Sequence, residues 1–333
     1  MVDNIKIGMQ NINIDRNIVK QWGNKNPHIK IVHDYPGKNG NRNFHFDVYK
    51  NPTSCNLDNK KSSFMRAKYF EKDGKQYFSL ENSLRKWHFG KLPSGVLNQE
   101  KLIECLSILS EILFLDSEFI YQLNVYQIEI GRTFLLPKSG IRLLHSVYGH
   151  PYFKKRNDNF DGSIYLNAKN IGIIIYDKLK EMYDKQCIKK NTYEKIGKNK
   201  ALIRIELKIS KLSGVPYANK HFRTISDICI NGDLLTEYLE KEILKIEFID
   251  FITEEQANLL LSKNEKGIFK NFFAYKWIEE NGIGKALKII DTFVNNAGSR
   301  HKRKEPIREL FKQLNIGNEM TNQNFVKELI SKK

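Results

Sequence analysis

A tyrosine followed by lysines closes an apolar run in the middle of the chain. Residues 171–175 are apolar, Tyr176 comes next, and Lys178 and Lys180 follow within four residues. A tyrosine hydroxyl at the end of a strand, beside lysine side chains in a basic protein, can attack a DNA phosphodiester. The pattern therefore predicts Tyr176 and Lys178 as catalytic residues. A strand-end tyrosine packed at the rim of a sheet is the alternative interpretation.

Three further side chains are of the types that bind a divalent cation. Cleavage of a phosphodiester by tyrosine needs a cation that polarises the scissile phosphate, and histidine and carboxylates bind such ions. Glu81, His88 and Glu129 each lie in or beside a predicted strand, so we expect them to hold Mg²⁺ or Mn²⁺. The alternative for His88, which follows Trp87, is a histidine at the rim of the sheet.

Cationic residues near the same segments predict contacts to the DNA backbone. Lys180 follows Tyr176 by four residues, and Arg204 alternates with Glu206 in an apolar strand. We assign Lys180 and Arg204 to DNA binding, since guanidinium and ammonium groups neutralise phosphates. The alternative for Arg204 and Glu206 is a solvated sheet face with a salt bridge.

The composition agrees with a polyanionic partner. The 333 residues include 55 Lys and Arg against 38 Asp and Glu, which gives a formal net charge of +17. A hydrophobic fraction of 41% indicates a globular protein rather than a disordered one. The basic residues are spread along the chain rather than gathered on one amphipathic helix, which favours nucleic acid over a membrane.

Apolar runs and cysteines indicate the compartment. No run approaches the roughly 20 apolar residues that cross a bilayer, and the first residues lack an apolar signal core. The four cysteines are isolated from one another, so they form no CxxC zinc pair and are expected to be reduced thiols. We therefore expect a soluble cytoplasmic protein that has no membrane partner.

The hydrophobic periodicity predicts an α+β fold followed by a helical region. We divide the chain into an α+β domain at residues 1–215 and a helical C-terminal region at residues 216–333, which can also bind DNA. Alternating residues predict strands at 43–49, 64–70, 76–81, 123–134, 163–166, 171–176 and 201–210. Helical periodicity predicts helices at 98–115, 234–246, 254–261, 269–280, 283–295 and 306–314. Residues 83–90 and 154–158 are predicted loops.

The order and spelling of five short segments resemble the replication initiator family of filamentous phages and related plasmids, the gene II/X replication proteins. The resemblance covers roughly residues 40–245. Its segments are Ser-Leu-Glu…Lys-Trp-His-Phe-Gly at 79–90, Ile-Glu-Ile-Gly-Arg-Thr-Phe at 128–134, Tyr-x-Lys-x-x-Glu at 176–181, Arg-x-Glu at 204–206 and Leu-x-Gly-x-Pro at 212–216. Each motif is short, and their common order is the stronger signal.

The resemblance implies a rearranged HUH-type endonuclease with an antiparallel sheet. Such a protein nicks one strand of a single-stranded or hairpin origin, becomes linked to the 5′ phosphate through tyrosine and leaves a 3′ hydroxyl. It implies rolling-circle replication in a bacterial host, with a host helicase and polymerase as partners. Tyr176 takes the nucleophile position, with Tyr165 and Tyr183 as competitors. The chain departs from the HUH pattern in having no His-hydrophobic-His pair.

A relaxase-like or transposase-like strand transferase uses the same chemistry, so it stays an alternative. A DNA-binding protein without catalytic activity is the other alternative, because it needs only the basic surface.

Overall fold

The computed structural model describes residues 2–23, 26–36, 42–56, 63–90, 97–158, 162–250, 268–296, 298–300, 302–305, 307 and 322–331. They form two compact units that each draw on several parts of the chain. The first unit is Met1–Arg132, Lys169–Ile171 and Glu206–Leu239, and the second is Thr133–Ala168, Gly172–Ile205 and Glu240–Lys333. The domains predicted at 1–215 and 216–333 are a different division of the chain and stay a prediction.

The strands are numbered in chain order. They are β1 (Val2–Ile12), β2 (Ile29–Pro36), β3 (Arg42–Val48), β4 (Met65–Lys72), β5 (Lys75–Ser83), β6 (Asn124–Pro137), β7 (Val147–Gly149), β8 (Lys155–Asp158), β9 (Ile164–Asn167), β10 (Ile171–Asp177), β11 (Lys200–Ile209) and β12 (Glu247–Phe248).

The helices are numbered in the same way. They are α1 (Arg16–Gly23), α2 (Leu84–Phe89), α3 (Gln99–Leu113), α4 (Ser117–Gln122), α5 (Arg142–Ser146), α6 (Lys178–Asp184), α7 (Lys190–Gly197), α8 (Pro216–His221), α9 (Ile225–Ile230), α10 (Gly232–Leu244), α11 (Ile268–Asn281), α12 (Ile283–Phe293) and α13 (Asn322–Ser331). Short 3₁₀ turns lie at Pro52–Asn56, Lys138–Ile141 and Leu212–Gly214.

The first unit is built on antiparallel strands in the order β2-β3-β4-β5-β1-β6-β11. Strand β1 lies between β5 and β6 and pairs antiparallel with both. Residues of β1 alternate, so Ile5 and Ile7 point to the core while Lys6 points away from it. The alternation gives this sheet an apolar inner face and a polar outer face.

Tryptophan 22 anchors the helical cover on the inner face. The ring of Trp22, on α1, lies 5.3 Å from Phe46, 5.8 Å from Tyr69 and 5.5 Å from Phe78, measured between centroids. Its indole Nε1 donates a hydrogen bond of 2.7 Å to the carbonyl of Leu113, at the end of α3. The ring therefore fixes two helices to three strands.

The second unit combines strands with helices. Its strands follow the order β11-β10-β9-β8, and β9 and β10 form an antiparallel hairpin. A separate apolar cluster lies in its helical part and consists of Ile249, Tyr275, Ile278, Ile283, Ala286 and Leu287. Among the described residues, no helix combines the length and apolar character that crossing a bilayer requires.

The α+β prediction with a large antiparallel sheet is confirmed. The segment 83–90 is not a loop, however, because Ser83 caps a short helix by accepting a hydrogen bond from the Lys86 amide. The segment 154–158 is not a loop either, because Lys155–Asp158 pairs with β9. The helix predicted at 254–261 lies outside the described residues, as does nearly all of the one at 306–314.

Candidate active-site residues

Tyr176 lies at the junction of β10 and α6 in the second unit. Ile173 and Ile175 are buried and hold the strand in the core, while Tyr176 is half-buried. Asp177 then ends the strand and caps the helix, accepting a hydrogen bond of 3.0 Å from the Lys180 amide. The chain therefore turns from strand to helix directly after the tyrosine, as the sequence predicts.

Lys178 is buried beside the tyrosine. Its Nζ lies 5.6 Å from the centroid of the Tyr176 ring, and only 6% of the residue is exposed. The same ammonium donates a hydrogen bond of 2.6 Å to Glu181 Oε2. A buried ammonium is costly unless it is paired, and Glu181 supplies that pairing.

A second lysine binds the other oxygen of the Glu181 carboxylate. Lys185 lies on the other carboxylate oxygen at 2.5 Å and is largely exposed. Burial alone raises the pKa of Glu181, but the two ammonium groups of Lys178 and Lys185 hold that pKa below its ordinary value. Glu181 is therefore shared by two ammonium groups, of which that of Lys178 lies against the Tyr176 ring.

The two predicted DNA-binding cations of this unit are in different surroundings. Lys180 is half-buried, and its Nζ lies 3.6 Å from Asp184 on the same helix. Arg204 is buried, and its guanidinium donates a hydrogen bond of 2.9 Å to the hydroxyl of Thr133. Lys180 can therefore reach solvent, whereas Arg204 is fixed in the strand layer.

The competing tyrosines are also placed. Tyr165 on β9 lies opposite Ile174, so its side chain and that of Tyr176 leave the same face of the hairpin. Tyr183 stacks on Tyr193 with 4.7 Å between ring centroids. Tyr165 is therefore the stronger competitor, because it shares a sheet face with Tyr176.

In the first unit, Glu81 and Glu129 line one cavity of about 290 Å³. Glu81 lies between two lysines, with Lys68 Nζ at 2.8 Å and Lys6 Nζ at 3.3 Å. Burial raises the pKa of Glu81, but the hydrogen bond and charge of Lys68, helped by Lys6, bring that pKa below its ordinary value. Glu81 is therefore an ionised carboxylate with cationic neighbours.

Glu129 has the opposite environment. Burial, together with the charge and hydrogen bond of Glu206, raises the pKa of Glu129 to about 7. The nearby carboxylate of Asp3 adds to the rise, and Lys208 opposes it. Two carboxylates that share a hydrogen bond need a proton or a cation between them at neutral pH. Sequence reasoning assigned Glu129 to this chemistry but missed Glu206.

His88 is placed elsewhere in the first unit. Its side chain is almost fully buried on α2, with Nδ1 accepting from Lys50 Nζ at 3.2 Å and Nε2 at 3.5 Å from Glu104. Burial, and then the charge of Lys50, lowers the pKa of His88. His88 is not among the described residues that line the cavity of Glu81 and Glu129.

The side chains that could bind a divalent cation in the first unit form a pair rather than a cluster. Within the described ranges, no group of three or more histidine, cysteine, aspartate or glutamate side chains is arranged around a common cation position. Glu129 and Glu206 nevertheless fit a hard cation, because oxygen ligands and mutual repulsion both favour one. Glu81 and His88 are engaged by lysines, so their assignment as ligands stays a prediction.

Comparisons with known proteins leave the family open. No protein-family model, no curated protein and no solved structure matches this chain.

Proposed function

We propose that this chain is a rolling-circle replication initiator that nicks one strand of an origin through Tyr176. The phenolic oxygen attacks the scissile phosphorus and forms a new O–P bond, and the 3′ oxygen leaves and takes up a proton. The products are a 5′-phosphotyrosine link and a free 3′ hydroxyl that a polymerase can extend. The observation that carries the proposal is the buried ammonium of Lys178 against the ring of Tyr176.

Lys178 gives that tyrosine a fixed positive charge. The ammonium lies 5.6 Å from the centroid of the Tyr176 ring, so it is beside the proposed nucleophile. The same charge is available to the anionic oxygens of a phosphate that approaches Tyr176. Glu181 holds Lys178 in place at 2.6 Å, and Lys185 cancels the charge of Glu181.

Mg²⁺ or Mn²⁺ belongs to the proposal as the cofactor. Glu129 and Glu206 would hold it, with Glu81 and His88 as the further ligands that the sequence predicts. When bound, the ion supplies neutralisation of phosphate charge. Lys180 and Arg204 are proposed to contact the DNA backbone.

The biological setting is likewise proposed. It includes an HUH-like core, a single-stranded or hairpin origin, the cytoplasm of a bacterial host, and a host helicase and polymerase. These follow from the motif order at residues 79–216, and the net charge of +17 supports a nucleic acid partner.

The test is to detect the covalent intermediate. The full chain is incubated with Mn²⁺ and labelled single-stranded DNA that carries the origin, and the adduct is resolved on a denaturing gel. We expect mass spectrometry to locate the nucleotide on Tyr176, and Tyr176→Phe to lower the adduct yield at least about 10³-fold. Tyr183→Phe is the matched control, which should keep the wild-type yield.

Other outcomes identify the alternatives. Loss of the adduct in Tyr165→Phe alone would move the nucleophile to Tyr165. Binding of the DNA by the wild-type protein without any adduct would contradict nicking and favour the DNA-binding protein without catalytic activity. Transfer of the cut strand to a second DNA molecule would favour a strand transferase.

A further inference from the structure

The outer face of the sheet in the first unit carries side chains that, apart from Glu81, the nicking proposal does not use. Successive residues along β3, β4, β5 and β1 lie on opposite faces of the sheet, and the strand registers show which residues share a face. Phe46, Ala67, Leu80 and Ile7 are buried on the inner face. We define the outer face by the side chains on the other side of these strands, namely His45, Asp47, Arg66, Lys68, Phe70, Tyr77, Ser79, Glu81, Lys6 and Gln10.

Two aromatic rings lie next to each other on this face. Phe70 on β4 is directly opposite Tyr77 on β5, and their rings stack with 4.6 Å between centroids and 10° between planes. Phe70 is 39% exposed, which is high for a phenylalanine on a strand. Gln10 is opposite Tyr77 on the other side and is exposed. The rings therefore form an accessible aromatic pair rather than part of the core.

Cations lie along the same face, toward one end of the strands from this pair. Lys68 lies two residues before Phe70 on the same face, and Lys6, Arg66 and Lys208 line the neighbouring cavity. Glu81 takes up part of the charge of Lys6 and Lys68, and Asp47 pairs with Arg66 at 3.0 Å. The four cations on this face and in the cavity outnumber its carboxylates, which are Glu81, Asp47 and Glu129.

We infer that the outer face binds single-stranded DNA, with unpaired bases stacking on Phe70 and Tyr77 and with phosphates contacting Lys6, Lys68 and Lys208. Aromatic rings among cations are the chemistry that recognises unpaired nucleotides, since every base has a stacking face and every linkage has a charge. A duplex hides its base faces, so the ring pair selects the single-stranded form. The choice of DNA rests on the proposed function, whereas the stacking does not.

The test measures equilibrium binding without cleavage. A fluorescent single-stranded oligothymidylate is titrated with the full chain in EDTA, and its anisotropy gives Kd. We expect Phe70→Leu and Tyr77→Leu each to weaken binding about tenfold, because leucine keeps the apolar volume but loses the stacking face. Tyr77→Phe keeps the ring and should stay within about twofold of wild type. Tyr152→Leu, an exposed tyrosine outside this face, is the matched control.

A charge variant keeps the test valid where a leucine variant fails to fold. Lys68→Met should weaken binding and lower the slope of log K against log salt by about one. Lys101→Met is the matched control, because Lys101 is also paired with a glutamate but lies on α3. This variant should change neither the affinity nor the salt slope.

Three outcomes would overturn the inference: no binding of the oligonucleotide by the wild-type protein, equal loss in Tyr152→Leu, or equal loss of duplex binding in the ring variants. The result is independent of the nicking assay. Ring-dependent binding without an adduct at Tyr176 would keep this inference and remove the nicking proposal. An adduct at Tyr176 without ring-dependent binding would keep the nicking proposal and remove this inference.

Discussion

Two carboxylate sites, one in each unit, respond to their surroundings in opposite ways. In the second unit Glu181 is flanked by Lys178 and Lys185, and its pKa is below the ordinary value in spite of burial. In the first unit Glu129 is buried against Glu206, and its pKa rises to about 7. The comparison separates a carboxylate that its cationic partners keep ionised from a pair of carboxylates that takes up a proton near neutral pH.

The difference follows from how each group of charges is assembled. The partners of Glu181 lie three residues before it and four residues after it, so one helix brings them together. Glu129 and Glu206 come from different strands, and the sheet places like charges together. Local pairing therefore places opposite charges beside Tyr176, while the strand pairing brings two carboxylates together, with Lys208 only partly offsetting their repulsion.

The largest expected effect comes from breaking the local pairing. Lys178→Met removes the buried ammonium, so Glu181 keeps only one partner and Tyr176 loses its neighbouring charge. We expect the free energy of unfolding to fall by about 3 kcal/mol, since removal of one partner from a buried ion pair leaves the other uncompensated. Urea denaturation measures the loss, and the nicking assay should show little adduct.

Lys185→Met is the control for this prediction. It removes the exposed partner of the same carboxylate, which we expect to change stability by less than about 1 kcal/mol. Equal losses in the two variants would show that burial of Lys178 contributes nothing.

The next effect is a pH dependence that depends on Glu129. The pKa of Glu129 in the folded protein is raised from 4.5 to about 7, so the folded state binds this proton more tightly than the unfolded state does. The contribution of this proton to the free energy of unfolding is fully present below pH 4.5 and is lost as the pH rises through about 7. Glu129→Gln removes this titration, so wild type should lose about 2 kcal/mol relative to the variant between pH 5 and pH 8. Urea denaturation at the two pH values measures it. Parallel behaviour of both proteins would show that Glu129 is ionised throughout.

A divalent cation should replace the proton at the same site. At pH 8 and a free Mn²⁺ concentration about ten times Kd, binding stabilises the folded protein by about 1.4 kcal/mol. Thermal unfolding should show a higher Tm for wild type in Mn²⁺, and Glu129→Gln and Glu206→Gln should show a smaller rise. An equal rise in all three proteins would place the ion elsewhere.

The smallest effect comes from Glu81, which lines the same cavity as Glu129. The pKa of Glu81 is lowered, because the charges of Lys68 and Lys6 outweigh the effect of burial. The contribution of ionised Glu81 to the free energy of unfolding is therefore present above pH 4.5 and is lost as the pH falls through the pKa of the folded protein. Glu81→Gln should cost less than about 1 kcal/mol at pH 7, because the pair is partly exposed. The cost should vanish in acid, the opposite trend to Glu129→Gln. The same pH trend in both variants would contradict the opposite pKa shifts of Glu81 and Glu129.

Part of this arrangement could be predicted from the sequence. Residues 171–176 predicted a strand, because an apolar run is a local signal. The charged segment that follows was compatible with either a short helix or an exposed stretch, and the structure has a helix there. The burial of Lys178 was not predicted. The glutamate three residues later was a usable signal, since that spacing pairs side chains on one helix face.

The partners of the predicted metal ligands could not be read in the same way. The pairing of Glu206 with Glu129 depends on which strands become neighbours, and the contact of His88 with Glu104 depends on how α2 and α3 pack. A glutamate between Ile205 and Leu207 in a buried strand was the available hint for Glu206. Residue type predicted the chemistry, whereas long-range packing decided the partners.

The central position of β1 has a consequence for the order of events during translation. Val2–Ile12 leaves the ribosome before most of the first unit, yet both of its neighbours, β5 and β6, come later in the chain. The nascent strand therefore presents two unpaired edges until Lys75–Ser83 and then Asn124–Arg132 have been synthesised. Contacts between such distant segments slow folding and leave apolar residues such as Ile5 and Ile7 accessible to chaperones. A ribosome stalled after residue 100 should hold a chain that a protease still cuts within β1.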